Sequence, residues 1–198
     1  MLRRVRIVLW VACAIPLLAL GAVGILEITQ RNGGVEALPG AGIGGPFKLA
    51  SSTGGELSSD ELKGKPFVVF FGFTRCPEIC PTTVSDISTW LDALGPDGKE
   101  IKALFISIDP ERDDVASLKD YLSSFNDRIV GLTGTPDQIA AVAKEYRVYY
   151  KKVPLDGGDY TMDHTAIVYL MDKDGRFVAP FSLKRKPDAA AAELRKYL

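Results

Sequence analysis

Histidine and cysteine are scarce in this chain, which has one histidine and three cysteines in 198 residues. A closed zinc site built from four cysteine or histidine ligands would need all of them, yet Cys13 lies in an apolar segment far from the others. The net charge is only −1 and lysine and arginine do not cluster, which argues against a nucleic-acid-binding surface. The sequence has no internal repeats, so a repeat architecture is excluded.

The N-terminal part of the chain carries a long segment that lacks charge. Residues 7–26 are 20 consecutive uncharged residues, enough for a helix that crosses about 30 Å of hydrocarbon. Three arginines precede them, so we predict that residues 1–6 stay in the cytoplasm and that the rest of the chain is exported. We therefore predict a single-pass protein of the bacterial inner membrane with its domain in the periplasm, and rank the mitochondrial inner membrane second.

A cleaved signal peptide is the alternative interpretation of the same segment. The small residues Ala19 and Gly21 would then precede the cut. The uncharged segment is longer than the usual apolar core of a signal peptide, which favours a retained anchor.

After the uncharged segment, the composition is first that of a linker and then that of a folded domain. Residues 27–45 are rich in glycine and poor in apolar side chains, which predicts a flexible linker. Residues 46–198 show alternating strand and helix patterns. The predicted elements are a hairpin (46–58), a buried strand (67–72), a helix (82–94), a buried strand (102–108), a helix ending at 125, a strand (129–132), a helix (135–146), an edge strand (148–153), a hairpin (166–180) and a closing helix (188–198).

This order of elements predicts an α/β protein with a thioredoxin-like fold. The fold would have a central mixed sheet flanked by helices, the first hairpin as an N-terminal addition, and a single transmembrane helix as its tether. Asp113 or Asp114 is expected to cap the second helix, and Thr135 the third.

Cys76 and Cys80 follow the most apolar strand, where it passes to a helix. Ligands of α/β folds tend to bind at the carboxyl ends of strands. On the first turn of a helix both sulfurs would project from one face, and we expect the exposed N–H groups and the helix dipole to lower the thiol pKa. In an oxidising compartment such a pair is either a redox-active dithiol or a site for a soft metal ion.

His164 precedes the strand of the last hairpin. In a thioredoxin-like fold the loop entering that strand packs beside the cysteine-bearing helix start, so His164 would complete a set of two sulfurs and one nitrogen. Such a set suits copper, and zinc is the alternative, although it prefers four ligands. A lone histidine is more often an ordinary core or surface residue, and only its predicted proximity to the cysteines favours a ligand role. Asp163 is expected to lie behind the ligands and to orient a partner, with weak coordination or the capping of a turn as alternatives.

Three motifs of the chain resemble the Sco/SenC copper-chaperone family. They are FGFTRCPEICP (71–81), FISIDPERD (105–113) and DHTA (163–166), in the order in which that family has them. The resemblance covers roughly residues 46–198. Two small departures lie within these motifs: Glu78 stands where many members have aspartate, and Thr165 where many have serine. Neither replaces a ligand residue.

The resemblance implies copper, as Cu(I), Cu(II) or both, bound by residues matching Cys76, Cys80 and His164. It implies assembly of the binuclear copper centre of cytochrome c oxidase subunit II, by copper delivery or by reduction of the subunit's cysteines. Subunit II and another periplasmic copper carrier would be the partners, besides the membrane. Asp109 would take part in partner recognition or redox transfer, unless it only caps the turn before Arg112.

Two other functions fit part of the pattern. A thiol–disulfide oxidoreductase without a metal would use the same two cysteines and would not need His164. A peroxiredoxin-like peroxidase fits less well, because Thr74 lies two residues before Cys76 where that family has three. We expect a metallochaperone rather than an enzyme, with thiol–disulfide reduction as the one enzymatic activity compatible with the cysteines.

Overall fold

The computed structural model describes residues 42–181 and 185–198, which contain nine strands and four α-helices. The strands are β1 (Lys48–Ser51), β2 (Glu56–Ser58), β3 (Phe67–Gly72), β4 (Lys102–Ser107), β5 (Ile129–Thr133), β6 (Tyr150–Pro154), β7 (Tyr160–His164), β8 (Val168–Met171) and β9 (Phe177–Phe181). The helices are α1 (Ile79–Leu94), α2 (Val115–Leu122), α3 (Pro136–Glu145) and α4 (Pro187–Leu194).

Strand β3 lies near the centre of a seven-stranded sheet with the order β2-β1-β5-β4-β3-β8-β9. All of its residues are buried, as expected for an apolar strand in a sheet that is covered on both faces. It pairs in parallel with β4 and antiparallel with β8, so the sheet is mixed. The hairpin β1–β2 joins the sheet through β5. The predicted α/β fold with an N-terminal hairpin is confirmed.

Helix α1 carries an apolar face into the core beneath this sheet. Val84, Ile87, Trp90 and Leu91 recur at helical spacing and are all buried. The helix packs beside α4, and the Trp90 ring meets the Phe181 ring of β9 edge to face, with centroids 5.0 Å apart. These contacts fix the axis of α1, and with it the position of its first turn.

The helix boundaries follow capping residues. Thr135 caps α3 as predicted, with Gln138 completing a capping box. Asp114 is the N-cap of α2, because its carboxylate accepts the Ser117 N–H. Helix α2 ends at Leu122, three residues earlier than predicted. Helix α1 begins at Ile79 rather than at residue 82, so Cys80 lies inside it.

The segment from 148 to 164 differs most from the prediction. The predicted edge strand is strand β6, and within the described residues it pairs only with β7, in a separate two-stranded sheet. The predicted loop that carries His164 is strand β7 itself. The alternation in residues 148–153 is weak because β6 is largely exposed on both faces. The sequence therefore does not indicate which strand β6 pairs with.

The predicted cytoplasmic end, the predicted transmembrane segment at 7–26 and most of the predicted linker lie outside the described residues. Among the helices of residues 42–181 and 185–198, none combines the length and apolarity that a membrane crossing needs. A compact unit begins at Gly42, a few residues before the predicted domain start at residue 46.

Candidate metal centre

The first cysteine lies in a tight turn between β3 and α1. The Cys76 N–H donates to the Phe73 carbonyl oxygen at 3.3 Å. The Cys80 N–H, one turn further, points at the Cys76 sulfur at 3.3 Å. Pro81 is the third residue of α1, where a missing N–H leaves no helical hydrogen bond unmade. The turn therefore brings both sulfurs to the N-terminal end of the helix.

Gly72 ends β3 directly beneath the second cysteine. A Cβ atom on this residue would lie 3.1 Å from the Cys80 sulfur and 2.9 Å from the Phe105 ring. Such separations are tighter than ordinary van der Waals contact, so only glycine lets the backbone approach the sulfur this closely.

A buried carboxylate fixes the residues just before Cys76. Asp113 is 1% exposed and accepts hydrogen bonds from the Thr74 N–H at 2.9 Å, the Thr74 hydroxyl at 2.5 Å and the Ser107 hydroxyl at 2.7 Å. It thus ties the turn after β3 to the end of β4. The sequence predicts Asp113 only as a candidate helix cap. Its hydrogen bonds to Thr74 are not predictable from the local sequence, because Thr74 lies 39 positions earlier in the chain.

The only histidine of the chain is brought to the two cysteines as predicted. His164 is the last residue of β7, and its Nε2 lies 3.6 Å from the Cys80 sulfur. Its Nδ1 lies 3.1 Å from the Thr165 carbonyl oxygen. A carbonyl only accepts, so Nδ1 carries the proton and Nε2 presents its lone pair to the sulfurs. The rings of Phe70 and Phe73 contact the imidazole edge to face, with centroids 6.2 and 5.9 Å away.

The three donor atoms are spaced for one metal ion. The sulfurs of Cys76 and Cys80 and a ring nitrogen of His164 all lie within 4.8 Å of one another. Donors bound to one ion at about 2.0–2.3 Å are at most about 4.6 Å apart, so a small closure brings all three onto an ion. Both cysteines are free thiols. Two sulfurs and an imidazole form a soft donor set, and the set fits copper.

Burial sets the protonation states of the metal-free site. Burial raises the pKa of the Cys80 thiol, with the nearby Cys76 sulfur adding to the effect. The expectation of a lowered thiol pKa at this helix start is therefore wrong for Cys80, because burial raises its pKa more than the hydrogen bond with the Phe73 backbone lowers it. Burial also lowers the pKa of His164. At neutral pH the site holds a protonated Cys80 and a neutral imidazole.

An open groove of about 560 Å³ leads from the surface to the donor atoms. It is lined by Phe73, Cys76, Pro77, Glu78, Ile79, Thr82, Thr161, Met162, Asp163, His164 and Ala166. Cys76 lines this groove and is the more accessible cysteine residue, at 8% exposed, whereas Cys80 is fully buried. An approaching partner would therefore reach Cys76 first.

The two aspartates singled out from the sequence lie in different surroundings. Asp163 is exposed on the groove wall, and its charge opposes the effect of burial on the pKa of His164. Asp109 is buried after β4, where its carboxylate accepts a hydrogen bond from the Tyr160 hydroxyl at 2.8 Å and forms an ion pair with Arg112. The three-donor cluster contains neither of them.

A family model, a solved structure and a curated protein that match this chain all bear the Sco description. The family described as SCO1/SenC matches residues 35–198. The copper-bound structure of Bradyrhizobium japonicum ScoI superposes with a TM-score of 0.77 at 56% identity, covering 79% of this chain and 99% of that one. The SCO2-like protein of Rickettsia felis is 40% identical over 147 residues, which are 73% of this chain and 72% of that protein.

The mitochondrial SCO1 homolog 1 of Arabidopsis thaliana is 36% identical over 181 residues, which are 87% of this chain and 54% of that protein. The chain thus spans about half the length of the mitochondrial relatives from Arabidopsis and yeast. The matched residues include the three predicted motifs and the thioredoxin-like domain that brings Cys76, Cys80 and His164 together. The chain therefore belongs to the SCO1/SenC family.

Proposed function

We propose that this chain is a membrane-anchored copper chaperone that helps to assemble the binuclear copper centre of cytochrome c oxidase subunit II. The observation that carries the proposal is the convergence of two free thiols and one correctly oriented imidazole nitrogen within 4.8 Å. The copper-bound structures of relatives from Bradyrhizobium, Arabidopsis and yeast support copper as the cargo.

Copper would bind as cargo through Cys76, Cys80 and His164. Thiolate is the form of cysteine that ligates a metal, so each cysteine that binds releases its proton, whereas the imidazole is already neutral and releases none. The groove beside Cys76 leaves the ion accessible from one side. A ligand of the acceptor protein would enter there and displace the ligands of this chain one at a time.

The redox state of the cysteines would control this cargo. Oxidation of Cys76 and Cys80 to a disulfide removes two electrons and two protons and leaves no thiolate to bind copper. Reduction restores both ligands. Cys76 and Cys80 therefore cannot bind copper and form a disulfide at the same time.

A thiol–disulfide reductase is the second candidate, and the free thiols in a thioredoxin-like domain favour it. The more accessible Cys76 would attack a disulfide of the acceptor as a thiolate, and Cys80 would displace the reduced acceptor by closing the internal disulfide. This reaction has no role for His164.

The experiment that separates the two functions compares His164→Ala with Cys76→Ser. We expect the reduced wild-type domain to bind one Cu(I) in a competition titration and His164→Ala to bind it more weakly by at least the roughly 10- to 100-fold that loss of a ligand-orienting residue costs. Cys76→Ser should bind it more weakly still. The second readout is the assembly of active oxidase in cells that carry each variant. Absence of Cu(I) binding by the reduced wild-type domain, or assembly that is lost in Cys76→Ser but intact in His164→Ala, would favour the reductase.

A further inference from the structure

The hairpin β6–β7 carries His164, and within the part of the chain that the structure describes it shares no strand pairing with the seven-stranded sheet, whose strand β3 leads to the cysteines. A two-stranded hairpin is only marginally stable by itself in water. The position of His164 relative to Cys80 therefore depends on contacts between this hairpin and the rest of the domain.

One arginine connects the hairpin to the end of β4. Arg112 lies between β4 and α2, and its Nη1 donates to the Tyr160 carbonyl oxygen at 2.8 Å and to the Asp159 carboxylate at 3.1 Å. Its Nε donates to the Asp109 carboxylate. The guanidinium also stacks on the Tyr160 ring, 3.7 Å from the centroid. The Arg112 side chain thus contacts both the backbone and the ring of Tyr160, the first residue of β7.

Asp109 closes this cluster from the side of the main sheet. One carboxylate oxygen accepts from Arg112 and the other from the Tyr160 hydroxyl at 2.8 Å. The Asp109 side chain is 1% exposed and that of Arg112 is 11% exposed. Charges this well buried are held by their partners, because separating them would leave an uncompensated charge out of water. We call Asp109, Arg112 and Tyr160 the hairpin latch.

The latch and His164 lie at opposite ends of the same strand. Tyr160 pairs with Pro154 and His164 pairs with Tyr150. His164 follows Tyr160 by four residues, about 13 Å along an extended strand. Fixing the start of β7 therefore fixes the direction in which its last residue points. The apolar Met162 side chain, buried in the middle of β7, is a second contact of the same strand with the domain.

We propose that the hairpin latch positions His164 against Cys76 and Cys80, so that Asp109, Arg112 and Tyr160 are positioning residues of the metal centre. None of the three contributes a donor atom to the cluster. The proposal rests on the proposed function because it concerns the same site, but its first test needs no copper.

That test is hydrogen exchange of the metal-free, reduced domain with Arg112→Gln and Tyr160→Phe. We expect Arg112→Gln to speed exchange of the β6 and β7 amides at least tenfold and to leave the β3 and β4 amides unchanged. Tyr160→Phe removes one hydrogen bond and keeps the stacking ring, so its effect should be smaller and in the same direction. The matched control is Arg176→Gln, an exposed arginine that pairs with Asp172 and Asp174 in the turn of the β8–β9 hairpin.

Unchanged exchange of β6 and β7 in Arg112→Gln would overturn the proposal, since the other contacts of the hairpin, such as Met162 and the Lys152–Glu111 ion pair, would then be sufficient to hold it. Acceleration that spreads equally to β3 and β4 would also overturn it, because Arg112 would then stabilise the whole domain and not the hairpin.

The second test is a double-mutant cycle on Cu(I) affinity. We expect Arg112→Gln to weaken binding about tenfold, the low end of the range for residues that orient metal ligands, and to have no further effect in a His164→Ala background. An equal loss in both backgrounds would overturn the proposal. If the wild-type domain binds no copper, the proposed function fails, and the exchange experiment still decides whether the latch holds the hairpin.

Discussion

At the scale of single residues, His164 presents Nε2 to the sulfurs because the Thr165 carbonyl occupies its other nitrogen. Phe70 and Phe73 contact the ring edge to face, and its partial burial lowers the pKa of the imidazole. The nitrogen is thus ready to bind without losing a proton. Cys80 is different, because burial keeps its thiol protonated until a metal ion displaces the proton.

Copper binding is therefore expected to weaken as the pH falls. The pKa of Cys80 is raised, so throughout the neutral range this thiol must release a proton for each ion bound. Each unit of pH below neutrality should then weaken Cu(I) binding at least tenfold, since one proton competes for the site. His164 adds little to this dependence until the pH falls below its lowered pKa. Competition titrations at pH 6, 7 and 8 measure the slope, and an affinity that does not change with pH would contradict the assignment of Cys80 as a ligand.

Two neighbouring aspartates offer a matched test of how the cysteine turn is held. Asp113→Asn replaces one buried acceptor oxygen by an amide group that faces donors, so we expect the free energy of unfolding to fall by about 1–3 kcal/mol. Asp114→Asn should change it by less than about 0.5 kcal/mol, because asparagine caps a helix as well as aspartate does. Urea denaturation measures both. Equal effects at the two positions would show that Asp113 does not hold the turn.

The residues of the proposed copper site could be singled out from the sequence because the chain offers so few alternatives. With one histidine and one closely spaced cysteine pair, the fold needed only to bring two chain regions together. The roles of Asp113 and Arg112 were not predictable, because each depends on a partner that lies 39 or 48 positions away. Nothing in the local sequence distinguishes a capping aspartate from one that is buried beneath a distant turn.

At the scale of elements, the site forms where three of them meet: the end of β3, the start of α1 and the end of β7. The first two were predicted from apolar patterning, which is strong where elements are buried on one or both faces. Strand β7 was predicted as a loop, and β6 was predicted as an edge strand without an assigned partner. Most of their residues are not fully buried, so the hydrophobic period that identifies a strand is nearly absent there.

The packing of α1 against the core determines where its first turn, and therefore Cys80, lies. Leu91 is 1% exposed on the buried face of α1, so Leu91→Ala should lower the free energy of unfolding by about 2–5 kcal/mol through loss of buried surface and the cavity that is left. Leu155→Ala is the control, since Leu155 is 50% exposed after β6 and its truncation should cost less than about 0.5 kcal/mol. Thermal or urea denaturation compares them. A small loss for Leu91→Ala would mean that α1 is not anchored by this face.

At the scale of the whole molecule, the proposed arrangement is a copper-binding domain tethered outside the cytoplasmic membrane. The uncharged segment 7–26 and the arginines before it support the anchor and its orientation. A glycine-rich linker would let the domain reach acceptor sites on a neighbouring membrane protein. The exported location would also place the thiols where oxidation competes with copper binding.

The anchor has a direct test in bacterial cells that express the full chain with a C-terminal alkaline phosphatase fusion. We expect phosphatase activity, retention of the full-length protein in carbonate-washed membranes, and loss of export when Arg3, Arg4 and Arg6 are all replaced by Glu. A soluble periplasmic product that lacks its first residues would instead show a cleaved signal peptide.

The measurement that tests the metal centre most directly is X-ray absorption spectroscopy of the reduced domain loaded with one equivalent of Cu(I). The account predicts two sulfur ligands at about 2.2–2.3 Å and one imidazole nitrogen at about 2.0 Å, with the nitrogen contribution lost in His164→Ala. A copper ion with fewer than two sulfur ligands, or an imidazole signal that persists in His164→Ala, would contradict the assignment of Cys76, Cys80 and His164 as the copper site.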